Sequence, residues 1–139
     1  GLGCNVEIKP CEGREADTAR ATVETLRRLW PAALPAPLLS SFKDRSLAMA
    51  LEAAPEFARA LLIDEVKDDW LGRAEAVAAA GINTNGKRLT AVRAVEIRKA
   101  GYVLSVYTIN DGDVARALVG MGVRCVISDA PDVILAALR

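Results

Sequence analysis

Histidine is absent from this chain of 139 residues. Its absence removes the commonest general acid–base and the commonest transition-metal ligand of proteins. Any catalysis by the chain alone would have to use carboxylates, lysine, tyrosine, cysteine or a hard cation. A long apolar run is also missing, since none approaches the roughly 20 residues that span a membrane. We therefore expect no stable membrane insertion.

An excess of one charge is lacking too, because Lys plus Arg and Asp plus Glu number 18 each. A neutral chain of this kind gives no indication of a nucleic-acid partner. Cysteine is scarce, and Cys4, Cys11 and Cys125 are odd in number and fit no zinc spacing. We interpret them as buried or incidental thiols in a reducing compartment, which favours a cytoplasmic protein.

What is present is a regular alternation of strand-like and helix-like segments. Apolar residues make up 52% of the chain and charged residues 26%, which is the balance of a globular domain. We predict one domain over residues 1–139, with no repeat or linker. The predicted strands are Cys4–Ile8, Leu38–Phe42, Ala60–Ile63, Ile82–Thr84, Tyr102–Ile109 and Val123–Ser128. The predicted helices are Glu15 to about Leu29, Asp44–Ala54, Glu75–Ala80 with Gly81 as a cap, one capped by Thr90 and ending at Gly101, one capped by Asp111 and ending near Gly120 or Gly122, and Val133–Leu138.

Continuous strand–helix alternation predicts a parallel sheet covered by helices. Two architectures fit this pattern, an open doubly wound sheet and a closed eight-stranded barrel. No Gly-rich phosphate loop follows any predicted strand, so a nucleotide-binding sheet has little support. In either architecture, ligand sites form at the carboxyl ends of the strands, where polar residues of this chain collect.

The first strand end, in the stretch NVEIKP, is the sharpest candidate site. Successive strand residues point to opposite faces, so Glu7 and Lys9 share one side while Val6 and Ile8 share the other. A carboxylate beside an ammonium suits a cation ligand next to an anion-binding group. An ion pair that closes the strand end is the structural alternative, and periodicity alone does not separate the two.

Two aromatic residues lie at or near the ends of later predicted strands. Phe42 ends the second predicted strand, where a phenyl ring is more often core than pocket wall. Tyr107 lies on the same side of its strand as Ser105, so it either lines a pocket or packs against the sheet.

The remaining polar strand ends have ordinary structural interpretations. Asn110 and Asp111 are good helix caps. Asp129, close to Pro131, is suited to a cap or a turn. An acidic cluster after the third strand is typical of solvated surface, with a second metal site as the alternative. Its members are Asp64, Glu65, Asp68 and Asp69.

Read in order, four stretches resemble one family. NVEIKP resembles a strand that reads Asn-Ile-Glu-Ile-Lys, and LLSSF resembles a Ser-Phe strand. GYVLSVYTIN resembles a strand that usually reads Trp-Thr-Val-Asn, and GVRCVISDAPD resembles a final Gly-Val-Asp-x-Ile-x-Thr-Asp-x-Pro. The family is that of the bacterial glycerophosphodiester phosphodiesterases. LLIDEVKDDW and GINTN resemble its short cytoplasmic members, and the likeness covers essentially the whole chain.

The resemblance implies a (β/α)₈ barrel of the TIM-barrel class, of which this chain holds strands three to eight. It implies a hydrolase that splits a glycerophosphodiester with water into glycerol 3-phosphate and an alcohol, using Ca²⁺ or Mg²⁺. By position, Glu7 matches a carboxylate ligand of that cation, and Lys9 matches a lysine near the substrate phosphate. Phe42 and Tyr107 match pocket positions, although Tyr107 replaces the commoner tryptophan. Asp129 matches the last strand's aspartate and is assigned to the substrate pocket with them, with a structural role as the alternative.

The resemblance also indicates what these residues lack. The family carries His-Arg-Gly, Glu-x-Asp and His-Asp motifs in its first part, and none occurs here. We therefore expect a C-terminal portion that is inactive alone and that leaves its first and last strands as open sheet edges. Open edges favour self-association or pairing with the missing N-terminal segment. The alternative function is a non-catalytic module that associates through those edges.

Overall fold

The computed structural model describes residues 3–139, so Gly1 and Leu2 of the predicted domain lie outside the described residues. The chain divides into two compact units. Unit 1 comprises the residues up to Leu62 together with Asp69–Ala80, and unit 2 comprises Ile63–Asp68 and Gly81–Arg139. Within residues 3–139, six strands alternate with six helices, as the sequence pattern predicts.

The strands are β1 (Asn5–Glu7), β2 (Leu38–Ser41), β3 (Arg59–Ile63), β4 (Gly81–Asn85), β5 (Val103–Tyr107) and β6 (Cys125–Val126). The helices are α1 (Glu15–Leu29), α2 (Asp44–Ala53), α3 (Trp70–Ala76), α4 (Ala91–Lys99), α5 (Gly112–Gly120) and α6 (Pro131–Ala137). None of the helices in the described range combines the length and apolar character needed to cross a membrane.

Unit 1 is built on the parallel pairing of β1 with β2 and of β2 with β3. Glu7 lies opposite Ser40, and Ser40 lies opposite Ala60, so these three residues share one face of the strands. The opposite face is covered by α1 and α2, whose small and apolar residues recur at helical spacing. The buried cluster on that face consists of Ile8, Ala19, Val23, Leu39, Ala50, Ala54 and Phe57.

Unit 2 is built on the parallel pairing of β4 with β5 and of β5 with β6. Leu104 and Val106 are fully buried on one face of β5, while Ser105 and Tyr107 share the other face with Asn85 of β4. This alternation is the period of two that a strand imposes. It brings polar side chains together on one face of unit 2.

The predicted N-terminal caps Thr90 and Asp111 are confirmed. Thr90 Oγ1 accepts a hydrogen bond from the Arg93 amide at 3.2 Å. Asp111 Oδ1 accepts from the Asp113 and Val114 amides at 2.8 and 3.0 Å. Each cap satisfies amides that the first turn of its helix leaves without intrahelical partners.

The predicted helix Glu75–Ala80 is wrong in its bounds, because α3 begins at Trp70 and ends at Ala76. Its end is marked by Ala78, which adopts the left-handed region with φ 45°. Gly81 is the first residue of β4 rather than a helix cap. A Cβ at Gly81 would lie 2.8 Å from the Val103 carbonyl oxygen, so the close approach of β5 requires glycine there.

Several predicted strands are longer than the observed ones. Tyr102–Ile109 shortens to Val103–Tyr107, Val123–Ser128 to Cys125–Val126, and Cys4–Ile8 to Asn5–Glu7. Strand ends depend on how far the neighbouring strand extends, which local sequence does not encode. Of the two alternatives for the cysteines, buried or incidental, burial is wrong, because Cys4, Cys11 and Cys125 are exposed free thiols.

Unit 1 buries one cation in its interior. Arg59, at the start of β3, is 6% exposed. Its Nε donates to the Val77 carbonyl at 2.9 Å and its Nη2 to the Ala78 carbonyl at 3.2 Å, while its Nη1 donates to the carbonyls of Phe57 and Pro55. Burial lowers the pKa of Arg59. Backbone carbonyl oxygens therefore satisfy this guanidinium.

Candidate active site

The end of β1 presents Glu7 and Lys9 on one face of unit 1. Both side chains are exposed, whereas Ile8 between them is 2% exposed and faces the core. This arrangement confirms the predicted alternation. Within residues 3–139, the side chains of Glu7 and Lys9 form no hydrogen bond or ion pair, so the ion pair considered for this strand end is not formed there.

Ser41 fixes the peptide between those two residues. Its buried Oγ donates to the Ile8 carbonyl at 2.7 Å and accepts from the Lys43 amide at 3.1 Å. The Ile8 amide in turn donates to the Ser40 carbonyl at 2.7 Å. The end of β1 is therefore tied to the turn that leads from β2 into α2. Sequence reasoning missed this role, and the only signal was the second serine of LLSSF.

Phe42 leaves β2 next to this anchored strand end, and it is not a core residue. Its side chain is 44% exposed and contributes to a cavity of about 420 Å³, which we call the Phe42 cavity. The cavity is lined by Glu15, Phe42, Lys43, Asp44, Arg45 and Arg73. An exposed ring that lines a cavity is compatible with the pocket position that the resemblance assigns to Phe42, and a substrate contact stays a prediction.

Charged groups dominate the Phe42 cavity. Arg73 holds the Asp44 carboxylate through two hydrogen bonds, from Nε at 2.9 Å and from Nη2 at 2.8 Å. The bond to Asp44 raises the pKa of Arg73. The pKa of Glu15 is lowered by its own backbone amide first, and also by the Gly13 amide and the charges of Arg45 and Lys43.

Unit 2 holds Tyr107 on the polar face of β5. Tyr107 is half-buried, and its hydroxyl donates to the Ile63 carbonyl at 3.0 Å. The hydroxyl thus has a structural partner, while the ring lies beside Asn85 in the strand register. That the Tyr107 ring lines a pocket stays a prediction.

The acidic cluster after β3 is paired largely with arginines. Asp64 accepts from Asn85 Nδ2 at 2.9 Å and forms an ion pair with Arg88 at 2.8 Å. Asp68 forms an ion pair with Arg93, whose pKa is raised by Glu96 first and by Asp68 second. These exposed pairs agree with the interpretation of the cluster as solvated surface.

Asp129 is anchored by Asn110 instead of capping α6. Asn110 Nδ2 donates to Asp129 Oδ2 at 3.1 Å, and Asn110 Oδ1 accepts from the Asp129 amide and from Ser128 Oγ, both at 2.9 Å. Asn110 therefore does not cap α5, since Asp111 does. One amide side chain joins the end of β5 to the turn that follows β6.

We expect Asn110→Ala to lower the free energy of unfolding by about 1–2 kcal/mol, because three hydrogen bonds of the Asp129 turn are lost at a mostly exposed site. Urea unfolding followed by circular dichroism measures this change. Glu24→Ala, which removes an exposed carboxylate on α1 that forms no ion pair within residues 3–139, is the control. Equal stability of the Asn110 variant and the parent chain would show that this anchor does not support the turn.

The described part of the chain does not provide a complete site for a divalent cation. Among residues 3–139, no group of three or more carboxylate, cysteine or histidine side chains is placed to hold a metal ion. Glu7 is a suitable oxygen ligand, but Mg²⁺ and Ca²⁺ take six or more ligands. The residues of this chain by themselves do not fit the cation that the resemblance implies.

Comparisons with known proteins agree on one family. A family model described as the glycerophosphoryl diester phosphodiesterase family matches residues 2–133. A solved phosphodiesterase from Oleispira antarctica, in complex with the product sn-glycerol-3-phosphate, is 36% identical with a TM-score of 0.94. The match covers 99% of this chain and 55% of that chain. A search of curated proteins found no match.

Two further solved structures support the same fold. A glycerophosphodiester phosphodiesterase from Agrobacterium tumefaciens is 27% identical with a TM-score of 0.64, and the match covers 97% of this chain and 55% of that one. One from Parabacteroides distasonis is 19% identical with a TM-score of 0.79, and the match covers 99% and 56%. The chain thus spans a little over half the length of these proteins, and the predicted fold class, part of a (β/α)₈ barrel, is confirmed. The chain belongs to the glycerophosphoryl diester phosphodiesterase family.

Proposed function

We propose that this chain is the C-terminal part of an enzyme that hydrolyses glycerophosphodiesters to glycerol 3-phosphate and an alcohol. The observation that carries the proposal is the placement of Glu7 and Lys9, which lie exposed on one face at the anchored end of β1. The 36% identity to a phosphodiesterase solved with sn-glycerol-3-phosphate supports the substrate class. That activity and that product belong to the solved phosphodiesterase, and we extend the substrate class to this chain by inference.

In the proposed enzyme, each site residue has a distinct task. The Lys9 ammonium offsets the negative charge of the phosphoryl oxygens, which grows as water attacks phosphorus and the bond to the alcohol breaks. Phe42 in unit 1 and Tyr107 in unit 2 are each proposed to line a substrate pocket. Asp129 keeps the last strand end in place through Asn110. Glu7 would hold a Ca²⁺ or Mg²⁺ ion through one carboxylate oxygen only together with ligands from outside these residues, and the ion would supply positive charge near the phosphoryl group.

The isolated chain is proposed to be inactive. It has no histidine to move a proton between the attacking water and the leaving alcohol. We propose the cytoplasm as the compartment, because the three cysteines are exposed free thiols that suit a reducing environment.

Sequencing the gene upstream of the Gly1 codon tests the proposal. A (β/α)₈ barrel needs about 250 residues, so on the order of 100 further codons are relevant. We expect in-frame His-Arg-Gly, Glu-x-Asp and His-Asp motifs in that segment. A stop codon followed by a start codon immediately before Gly1 would contradict an enzyme made from this gene.

The alternative is a non-catalytic module that associates through sheet edges. Among the described residues, β1 pairs with β2 alone. The Leu38 amide donates to the Cys4 carbonyl and the Ile8 amide to the Ser40 carbonyl. Because backbone groups alternate along a strand, the amides of Asn5 and Glu7 point away from β2. This open edge suits pairing with a second copy or with an N-terminal segment.

We expect the chain to self-associate in solution and Asn5→Pro to weaken that association, because proline removes an edge amide without removing a bond to β2. Sedimentation velocity over a range of concentrations measures both. Asn5→Ala is the control, because alanine changes the same side chain but keeps the backbone amide at the edge. A parent chain that is monodisperse and monomeric at every concentration would contradict association through this edge.

A further inference from the structure

The Phe42 cavity carries positive charge that the described residues do not neutralise. Asp44 is matched by Arg73 in a two-bond ion pair. Lys43 and Arg45 form no ion pair or side-chain hydrogen bond within residues 3–139. Glu15 is the remaining carboxylate of the cavity, and it lies beyond ion-pair distance of both cations. After the Asp44–Arg73 pair is set aside, the cavity therefore contains one carboxylate, Glu15, and two cations, Lys43 and Arg45.

The backbone adds to this positive character. Lys43 immediately precedes α2, a helix of ten residues, and Arg45 lies in its first turn. Lys43 stands at the N-cap position, and its side chain makes no capping bond. The first amides of a helix have no intrahelical acceptors, and the helix dipole places partial positive charge at this end. The two side-chain cations and the helix end therefore all favour a negatively charged ligand.

The position of the cavity relates it to the proposed active site. Phe42 follows Ser41, whose Oγ is bonded to the carbonyl between Glu7 and Lys9. All of these residues belong to unit 1. The Phe42 cavity therefore lies beside the strand end that carries Lys9, where one arm of a diester with its phosphate at Lys9 could reach it.

We propose that the Phe42 cavity binds a negatively charged group on the alcohol arm of the diester, so that the preferred substrates are glycerophosphodiesters of anionic alcohols. This inference rests on the proposed function. A carboxylate on the alcohol would accept hydrogen bonds from Lys43 and Arg45. The quaternary ammonium of a choline ester would instead be repelled by the same two cations, although a ring such as Phe42 can attract it.

A matched pair of ligands tests the proposal. Glycerophosphoserine and glycerophosphoethanolamine differ by a single carboxylate on the alcohol. Titration of the 139-residue chain with each ligand, followed by amide chemical shifts, gives two dissociation constants. We expect the serine diester to bind about fivefold more tightly, the effect typical of exposed charge pairs. The Lys43 and Arg45 amide signals are expected to shift with the serine diester.

The double variant Lys43→Gln/Arg45→Gln should bind both diesters equally. Arg28→Gln/Lys99→Gln removes two exposed cations away from the cavity, and it should keep the preference for serine. Lys9→Gln should weaken both diesters to the same extent. Equal binding of the two diesters by the parent chain overturns the inference, as does a preference that survives in the Lys43/Arg45 variant. If Lys9→Gln changes neither affinity while the preference persists, the proposed role of Lys9 fails and the cavity assignment stands.

Discussion

Replacing Arg59 with methionine is expected to lower the free energy of unfolding by about 2–4 kcal/mol. Methionine keeps much of the apolar stem but leaves the carbonyls of Phe57, Val77 and Ala78 without their donor. A buried carbonyl without a partner costs roughly 1–3 kcal/mol, and the desolvation cost of the guanidinium is regained only in part. Thermal and urea unfolding, followed by circular dichroism, measure the change.

The Arg59 side chain also supports the turn that ends α3. Ala78 adopts φ 45° there, a conformation that is strained for a residue with a side chain. The Ala78 carbonyl accepts from Arg59 Nη2, and the Ala80 amide donates to the Arg59 carbonyl at 2.7 Å. Arg59→Lys keeps the charge but loses the planar set of donors, so we expect a smaller loss than with methionine.

Arg28→Met is the matched control for this prediction, because Arg28 is exposed in the last turn of α1. We expect it to change stability by less than about 0.5 kcal/mol. If Arg59→Met proved as stable as the Arg28 variant, the carbonyl bonds would merely offset the desolvation of the guanidinium. The turn at Ala78 would then be held by its backbone alone.

Glu7→Gln, made in the full-length gene product, is expected to lower kcat/KM by about 10³-fold. The substitution keeps the size of the side chain and removes its negative charge. On the proposed function, this change removes a ligand of the divalent cation, and amides are weaker ligands than carboxylates for hard cations. Hydrolysis of a glycerophosphodiester measured over a range of Ca²⁺ or Mg²⁺ concentrations provides the test.

The metal dependence separates a ligand from a merely structural residue. If Glu7 is a ligand, the variant needs a higher cation concentration for half-maximal activity, while its unfolding curve stays close to that of the parent. Glu12→Gln is the control, since Glu12 is also an exposed carboxylate and lies in the turn that follows β1. Activity of the Glu7 variant equal to that of the Glu12 variant would contradict the proposed metal site.

Local signals predicted most of the secondary structure. The bounds of α1 were predicted correctly because small and apolar residues recur at helical spacing up to Pro31. The caps at Thr90 and Asp111 were predicted because capping depends on residues only a few positions apart. Helix α3 was misplaced because its end depends on the turn at Ala78 and on the contact of Gly81 with β5.

The candidate site was predicted in part. The common face of Glu7 and Lys9 follows from the period of two, and burial in the structure agrees with it. The residue pattern alone did not predict the exposure of Phe42, because an isolated phenylalanine at a strand end usually indicates core, whereas the resemblance assigned it a pocket position. The roles of Ser41 and Asn110 were not predicted either, since their partners lie 33 and 19 positions away.

The sequence by itself determined the alternation of strands and helices, the faces of β1 and the family, because each depends on local periodicity or on short ordered motifs. Only the tertiary structure decided that Arg59 is buried among carbonyls, that Ser41 anchors the strand end, and that Glu15 and Arg73 join Phe42 at a cavity. The physical reason is that burial and hydrogen bonding depend on which distant segments the fold brings into contact. Neighbours along the chain do not encode those contacts.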